Sequence, residues 1–387
     1  MFARLTVKRF LLMVMLVMTF VLPQARAEII TPAEFAVLMD YDSGKFLYEK
    51  NPDAAMKPAS MAKMMTIYLT FERLKTGSLR MEDSLLVSEK AWRKRGSRTF
   101  LEPGSKVKIA DLLRGVIVQS GNDAAIVLAE GLAGTEDAFA EEMTATAREL
   151  GMTNTVFGNS TGWPDEITTT TARDLAILAK AIIRDFPEYY PIFAEKAFAY
   201  NGINQNNRNP LIYSVKGADG LKTGHTEESG YGLTSSAWQN GQRMILVLNG
   251  LASSKSRRQE SERLMELSFR EYPVKVFFEK GAVLNEVPVW LGEADYVKIT
   301  AGMTGKEVLP RTDHDKVEIT LSHETPLPAP ITAGDTIGEI TVSYPGGMKT
   351  FPLLAGETVE KLPIYKQIGA FFKYIIFGAT PMTTPAG

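Results

Sequence analysis

Cysteine is absent from this 387-residue chain, and histidine occurs only as His225, His314 and His323. Without cysteine the chain can form no disulfide framework, no thiolate metal site and no cysteine nucleophile. His314 and His323 lie nine residues apart in a segment that reads as strand, and this spacing fits no common zinc site. We therefore do not expect a zinc-dependent hydrolase.

An excess of charge of either sign is also missing. The chain has 43 Lys+Arg against 45 Asp+Glu, a formal net charge of −2. A nucleic-acid-binding protein normally carries a basic stripe or patch, so we expect no nucleic-acid partner. At roughly 150 residues per domain the length allows about two or three domains, and such a chain buries enough surface to need no covalent staples.

The first 27 residues have the pattern of a secretory signal peptide. Basic residues open the chain, an apolar run broken only by Thr19 covers residues 10–22, and residues 25–27 have the small-x-small form of a cleavage site. The alternative, a transmembrane helix, needs about 20 apolar residues. Removal of the segment leaves 39 basic against 45 acidic residues, a formal charge of −6. We expect an exported protein.

The remaining chain divides into three regions. Residues 28–272 mix strands with long helical segments, residues 273–358 are short alternating segments broken by Gly and Pro, and residues 359–387 form a tail. In the first region, turns at residues 42–44 and at Asn240-Gly241 predict two hairpins. Helices are predicted over residues 60–75, 109–119, 137–150 and 171–184. We expect a sheet with helices packed against it, followed by a small β-sandwich or barrel.

The first candidate catalytic element is Ser60-Met61-Ala62-Lys63 at the start of a predicted helix. Residues three apart on a helix share a face, so the Lys63 amine can reach the Ser60 hydroxyl and act as its base if burial lowers the lysine pKa. The pattern alone is weak, because Ser105 and Lys108 repeat it. That second copy alternates like a strand, which would point its Ser and Lys to opposite faces.

Two further elements supply polar groups. Ser120-Gly121-Asn122 follows an apolar helical run and offers a hydroxyl and a carboxamide on a loop, although a polar helix end is the plainer interpretation. Lys222-Thr223-Gly224-His225 precedes the second hairpin; Lys222 and Thr223 can bind a carboxylate there, and Gly224 can let a substrate backbone come close. The copy at Lys75-Thr76-Gly77 reads as ordinary helix C-terminal capping.

Together and in this order, the three elements resemble the motif set of the penicillin-recognising acyl-serine transferases, which include penicillin-binding proteins and class A β-lactamases. Within that group the mature chain resembles the D-alanyl-D-alanine carboxypeptidases, the low-molecular-mass penicillin-binding proteins of types 5 and 6. The resemblance implies an α/β (α+β) catalytic domain of the β-lactamase/transpeptidase type, a small all-β domain and a C-terminal amphipathic helix. It implies no metal and no cofactor.

The resemblance also implies roles for individual residues. Ser60 would be the acylated nucleophile, Lys63 its general base and Ser120 a proton relay. Substrate-binding residues would be Asn122, Lys222, Thr223, Gly224, His225, Asp174 and Arg257. The backbone N–H groups of Ser60 and His225 would form the oxyanion hole. Asp174 has an equally good interpretation as a helix-capping partner of Thr171.

The implied reaction removes the terminal D-Ala from peptidoglycan stem peptides ending in D-Ala-D-Ala, through an acyl-enzyme on Ser60 that penicillin and other β-lactams would also form. Alternatives are a β-lactamase, for which Glu166 lies in a suitable loop, a D,D-endopeptidase, or a non-catalytic wall-binding protein. Residues 158–162 also fit the G-x-S-x-G pattern around Ser160, but Pro164 follows where that motif needs a helix.

Residues 364–377 form an amphipathic pattern in the tail, with isoleucines and phenylalanines at helical spacing. Such a helix is about 21 Å long and too short to span a membrane, so we expect it to lie in the membrane interface. The alternative is an ordinary helix packed on the β domain. The resemblance implies peripheral attachment to the periplasmic face of the cytoplasmic membrane.

Overall fold

The structure is a computed structural model that describes residues 29–369. The predicted signal segment lies outside the described residues, as does the tail beyond residue 369. Residues 364–369 are helical, at the start of the predicted tail helix. Among residues 29–369, no helix combines the length and the apolar character needed to cross a membrane.

Residues 29–272 fold as a sheet with helices on both faces. The strands are β1 (Phe35–Asp40), β2 (Phe46–Lys50), β3 (Ser84–Leu86), β4 (Lys106–Lys108), β5 (Ala197–Tyr200), β6 (Ile203–Asn206), β7 (Ala218–Thr226), β8 (Gly230–Gln239) and β9 (Gln242–Leu251). The helices are α1 (Lys63–Lys75), α2 (Glu89–Arg93), α3 (Ile109–Ile117), α4 (Asn122–Ala133), α5 (Glu136–Glu149), α6 (Ala172–Asp185), α7 (Leu211–Ser214) and α8 (Ser254–Glu271).

The main sheet has the strand order β2-β1-β9-β8-β7, with every neighbouring pair antiparallel. Both predicted hairpins are confirmed. Asn240 and Gly241 join β8 to β9 with φ values of 51° and 77°, the left-handed pair that a two-residue hairpin turn requires. β7 lies at one end of this order, so its outer edge is open to a ligand.

Two apolar cores lie on the two faces of the sheet, because side chains alternate along each strand. On β9, Ile245 and Val247 join the larger core with the helices α1, α3, α4 and α6, whereas Leu246 and Leu248 join a smaller core with α8. The central helix α1 is buried almost all round over residues 63–71, and its charged last turn, with Glu72, Arg73 and Lys75, reaches the surface.

The predicted helices are confirmed with small shifts at their ends. The predicted helix over residues 60–75 begins as a 3₁₀ turn, Ala59–Ala62, and continues as α1. Gly77 follows it with φ 74°, which fits C-terminal capping at that copy of Lys-Thr-Gly. The helices α4 and α8 were not among the predicted helices.

Residues 274–361 form the second, all-β unit. Its strands are β10 (Val274–Phe278), β11 (Val283–Trp290), β12 (Tyr296–Ala301), β13 (Gly305–Val308), β14 (Glu318–His323), β15 (Leu327–Pro328), β16 (Thr336–Tyr344) and β17 (Gly347–Ala355). Six of them form one sheet in the order β14-β16-β17-β12-β11-β15, and β10 pairs with β13. Its core includes Val297, Ile299, Ile340, Val342 and Leu353.

Candidate active site

Ser60 and Lys63 lie where the 3₁₀ turn becomes the helix α1. The turn brings their side chains together, and Lys63 Nζ donates to Ser60 Oγ at 3.0 Å. The lysine is fully buried and the serine is half-buried, so the serine oxygen remains open to a substrate. By contrast, Lys108 of the second Ser-x-x-Lys copy lies on β4 and is exposed, as the strand-like pattern predicted.

Lys63 also donates to two other segments, to the Asn122 side-chain oxygen and to the Thr161 carbonyl, each at 2.7 Å. Burial lowers the pKa of Lys63 to about 7, and the positive charges of Arg208 and Lys94 act in the same direction. A lysine with this pKa is partly a free amine at neutral pH, which is the form that can accept a proton from a serine hydroxyl.

Ser120, Gly121 and Asn122 form the turn between α3 and α4. Ser120 has a φ of 61° and is buried, and Asn122 is the first residue of α4 rather than part of a loop. The Asn122 backbone N–H donates to the Ser97 carbonyl and its side-chain NH₂ to the Arg95 carbonyl, both at 2.8 Å. These bonds turn the amide oxygen of Asn122 toward Lys63.

Lys222 lies on the edge strand β7, just before the β8–β9 hairpin, and it is buried. Its Nζ donates to Ser120 Oγ at 2.8 Å and to the Thr223 carbonyl at 3.3 Å. Burial holds the pKa of Lys222 well below its usual value, and the nearby positive charges of Lys63, Arg208 and Arg257 add to this effect. An anion bound here would reverse that shift, so the site is suited to a carboxylate.

Gly224 packs against the turn that carries Ser60. A Cβ on Gly224 would lie 2.7 Å from the Pro58 carbonyl oxygen and 3.2 Å from Ala59 Cβ. The glycine therefore lets β7 approach the nucleophile turn, a role that the sequence analysis did not assign to it. Beside it, Thr223 is buried, and His225 is exposed with its ring stacked on Tyr231 at 3.8 Å between centroids.

Arg257 comes from α8 and reaches the same end of β7. Its guanidinium lies 5.7 Å from the Tyr231 ring centroid, and Nη1 is 3.5 Å from the Gly232 carbonyl oxygen. Burial lowers the pKa of Arg257, and its charge in turn lowers the pKa of Lys222. The structure therefore brings Arg257 into the electrostatic neighbourhood of the site.

Asp174 is not joined to this cluster. Its buried carboxylate accepts from the Asn154 N–H at 3.0 Å and from the Thr155 hydroxyl at 2.7 Å, and its own N–H donates to the capping Thr171 hydroxyl at 3.1 Å. Burial raises the pKa of the Asp174 carboxyl, and hydrogen bonds to that carboxyl from Thr155, Asn154 and Thr171 oppose the rise. These contacts are those of a helix-capping residue.

Three residues of the site were missed by the sequence analysis. The Thr161 carbonyl holds Lys63, Arg208 donates to the Ser97 hydroxyl and lowers the pKa of both buried lysines, and Asp123 is fully buried. The Asp123 carboxylate accepts the backbone N–H groups of residues 99–101 and so fixes the segment that contacts Asn122. Thr161 and Arg208 lie outside the three motifs. Asp123 directly follows Asn122, and an acidic residue in the first turn of a helix is the one sequence signal that could have identified it.

The competing candidates do not form a second site. Ser160 is fully buried, and its hydroxyl donates to the Glu136 carboxylate at 2.7 Å, so it is no exposed nucleophile. The Glu166 side chain is exposed, and its backbone carbonyl accepts a hydrogen bond from Lys57 Nζ at 3.3 Å. Neither arrangement offers a second base for acyl transfer.

Comparisons with known proteins agree with this geometry. The family D-alanyl-D-alanine carboxypeptidase matches residues 23–252, and the C-terminal domain of penicillin-binding protein 5 matches residues 272–361. The chain is 39% identical over 345 residues to D-alanyl-D-alanine carboxypeptidase DacC of Escherichia coli (strain K12), covering 87% of this chain and 86% of that protein. It is 38% identical over 320 residues to DacA of Haemophilus influenzae, covering 81% of each.

Solved structures are similar over the same span. The D-alanyl-D-alanine carboxypeptidase DacD from Francisella tularensis superimposes with a TM-score of 0.70 at 30% identity, over 87% of this chain and 95% of that one. Penicillin-binding protein 5 from Haemophilus influenzae gives 0.69 at 36% identity, over 86% and 99%. Penicillin-binding protein D2 from Listeria monocytogenes, solved in the ampicillin-bound form, gives 0.58 at 29% over 62% and 99%. This chain therefore belongs to the D-alanyl-D-alanine carboxypeptidase family of serine peptidases.

Proposed function

We propose that this protein removes the terminal D-Ala from peptidoglycan stem peptides ending in D-Ala-D-Ala, with Ser60 as the nucleophile. The observation that carries the proposal is the 3.0 Å hydrogen bond between Ser60 and a lysine whose pKa is lowered to about 7. Ser120, the other serine of the three motifs, also contacts a buried lysine, Lys222, but Ser120 is itself buried, whereas Ser60 is half-buried and open to a substrate.

In the first step Ser60 Oγ attacks the carbonyl carbon of the penultimate D-Ala, and its proton passes to Lys63 Nζ. The C–N bond then breaks, and the proton held by Lys63 is relayed through Ser120, which also accepts from Lys222, to the departing D-Ala amine, so that Lys63 is again a free amine. In the second step water attacks the Ser60 ester and gives a proton to Lys63; the bond from Ser60 Oγ to the acyl carbon then breaks, and Lys63 passes that proton to Ser60 Oγ.

The remaining residues bind the substrate in this proposal. Lys222, Thr223 and Arg257 offer positive charge and a hydroxyl to the terminal carboxylate, and the Asn122 amide orients Lys63 and the acyl chain. The backbone N–H groups of Ser60 and His225 form the oxyanion hole beside the open edge of β7. Penicillin, with a carboxylate and a strained amide, would acylate the same serine.

We also propose that the chain is exported and lies at the periplasmic face of the cytoplasmic membrane. The basic, apolar and small-x-small pattern of residues 1–27 supports export. Attachment is supported by the amphipathic pattern of residues 364–377, of which Ile364, Tyr365 and Ile368 are strongly exposed. Exposed apolar residues in a row are consistent with a surface that a lipid interface covers.

The deciding experiment is intact-mass analysis over time after penicillin is added, with peptide mapping of any adduct and a parallel assay of D-Ala release from a D-Ala-D-Ala peptide. We expect a lasting adduct on Ser60 and release of D-Ala. Destruction of penicillin without an adduct would indicate a β-lactamase instead. Intact penicillin with no adduct and no D-Ala release would favour a non-catalytic wall-binding protein.

A further inference from the structure

A short basic segment borders the active site. Within residues 90–98, five of nine residues are basic, although the whole chain has more acidic than basic residues. Two of the five are neutralised: Lys90 pairs with Glu136 at 2.9 Å, and Arg93 with Glu89 at 2.6 Å. The other three, together with a fourth cation from the loop before α7, form a surface that we call the basic rim: Lys94, Arg95, Arg98 and Arg208.

The cations of the basic rim have no acidic partner within residues 29–369; their contacts are with aromatic rings, backbone and hydroxyl groups. Lys94 Nζ lies 4.7 Å from the Trp163 ring centroid, and Arg98 Nη2 donates to the Trp92 carbonyl at 2.6 Å. Arg95 and Arg208 are exposed. Lys94 is also attracted by the carboxylates of Glu136 and Asp165, so Arg95 and Arg208 carry most of the positive charge that the rim presents to solvent.

The rim is attached directly to the catalytic residues. The Arg95 carbonyl accepts from the side-chain NH₂ of Asn122, and the Ser97 carbonyl accepts from its backbone N–H. The side-chain oxygen of Asn122 in turn accepts from Lys63. The charges of Lys94 and Arg208 are close enough to lower the pKa of Lys63. A substrate chain that leaves the cleft on the Asn122 side therefore passes the rim.

We propose that the basic rim is a subsite for carboxylates in the part of the substrate that precedes D-Ala-D-Ala, so that the enzyme prefers acidic peptides to neutral ones. This inference rests on the proposed carboxypeptidase function and adds the charge of the preferred substrate. A peptide is a better partner for the rim than an anionic membrane. The backbone of residues 95 and 97 is hydrogen-bonded to Asn122, so a membrane that bound the rim would cover the cleft. Each exposed charge pair between the rim and a peptide should raise the binding constant about 1.4- to 5-fold.

The test compares two peptides ending in D-Ala-D-Ala that differ upstream only in a carboxylate or its carboxamide isostere. For the wild-type chain we expect kcat/KM to be at least about fivefold higher for the carboxylate peptide at low salt, and the ratio to fall toward one at about 0.5 M salt, because exposed charges are then screened. If both peptides are cleaved equally at low salt, the subsite does not exist. If neither is cleaved, the proposed function itself fails, and the subsite with it.

The variants Arg95→Gln and Arg93→Gln each remove one exposed positive charge from the same segment. Arg93 is paired with Glu89, whereas the Arg95 side chain forms no salt bridge with any residue of the described range 29–369. We expect Arg95→Gln to lower the kcat/KM ratio about two- to fivefold and Arg93→Gln to leave it unchanged. Equal effects of the two variants would overturn the proposal. The proposal would also be overturned if Arg95→Gln left the kcat/KM ratio unchanged. If that variant also bound phosphatidylglycerol/phosphatidylcholine vesicles more weakly, the rim would be a membrane-binding surface instead.

Discussion

Lys63 Nζ donates to the side-chain oxygen of Asn122, 59 residues further along the chain, at 2.7 Å. This bond joins the first catalytic motif to the second. The bond from Lys222 to Ser120 joins the second motif to the third at 2.8 Å. The two lysines thus join the three motifs across the cleft, and both are buried polar groups, which need hydrogen-bond partners to remain stable.

Replacement of Lys63 by Gln should slow acylation of Ser60 by about 10²- to 10⁴-fold, because the serine loses its only amine base. The measurement is the rate of penicillin adduct formation by intact mass. Lys108→Gln is the matched control, since Lys108 belongs to the second Ser-x-x-Lys copy on β4 and should have no effect. An unaltered acylation rate in Lys63→Gln would exclude Lys63 as the base.

The rate of acylation should rise with pH through about 7. The pKa of Lys63 is lowered to about 7, so the free amine that accepts the Ser60 proton is the minor form below this pH and the major form above it. Arg208→Gln removes a positive charge that lowers this pKa, and its profile should therefore move to higher pH. Arg93→Gln should not move it. A profile that is flat between pH 5 and 9 would contradict the assignment.

Gly224→Ala should weaken both the fold and the catalysis. The added Cβ would lie 2.7 Å from the Pro58 carbonyl, so β7 or the Ser60 turn must shift, at about 1–3 kcal/mol of unfolding free energy. We expect a lower melting temperature and slower penicillin acylation. Gly77→Ala in the second Lys-Thr-Gly copy places Ala at φ 74° with open space around it, so it should reduce stability alone.

Asp174→Asn should reduce stability rather than substrate binding. The carboxylate accepts two hydrogen bonds that fix residues 154 and 155, and an amide can reproduce only part of this arrangement. Loss of such a charged, buried acceptor should cost about 1–3 kcal/mol of unfolding free energy. Denaturant unfolding and the KM for a D-Ala-D-Ala peptide distinguish the roles: a large rise in KM at unchanged stability would restore Asp174 as a substrate ligand.

Deletion of residues 362–387 should release the protein from membranes. The exposed side chains at residues 364, 365 and 368 begin the predicted interfacial helix, which this deletion removes. Sedimentation with vesicles compares the deletion with the chain that keeps these residues. Continued sedimentation of the shortened chain would mean that another surface binds the membrane.

Much of the fold and site could be predicted because the signals are local. The Asn240-Gly241 turn, the apolar helix α1 and the three motifs each depend on a few neighbouring residues. The helix α8 was missed because it buries only Leu264, Met265 and three polar residues, which leaves a weak apolar period on a mostly charged segment.

Other features depend on parts of the chain that are distant in sequence. Arg208 lies in a loop without a motif, and its influence on Lys63 and Lys222 exists only once three segments are packed together. The neighbour of Gly224 is likewise the Pro58 carbonyl, more than 160 residues earlier in the chain. A pattern within one segment cannot reveal such pairs, because the contact is created by the tertiary fold.

The dispersal of the catalytic groups has a practical consequence. Ser60, Asn122 and Lys222 meet only when α1, α4 and β7 have all taken their final places. A refolding intermediate that lacks any one of these elements has no activated serine, whatever its secondary structure. The yield of penicillin-labelled protein at successive times after dilution from denaturant should therefore count the molecules that have reached the native state, independently of spectroscopic signals.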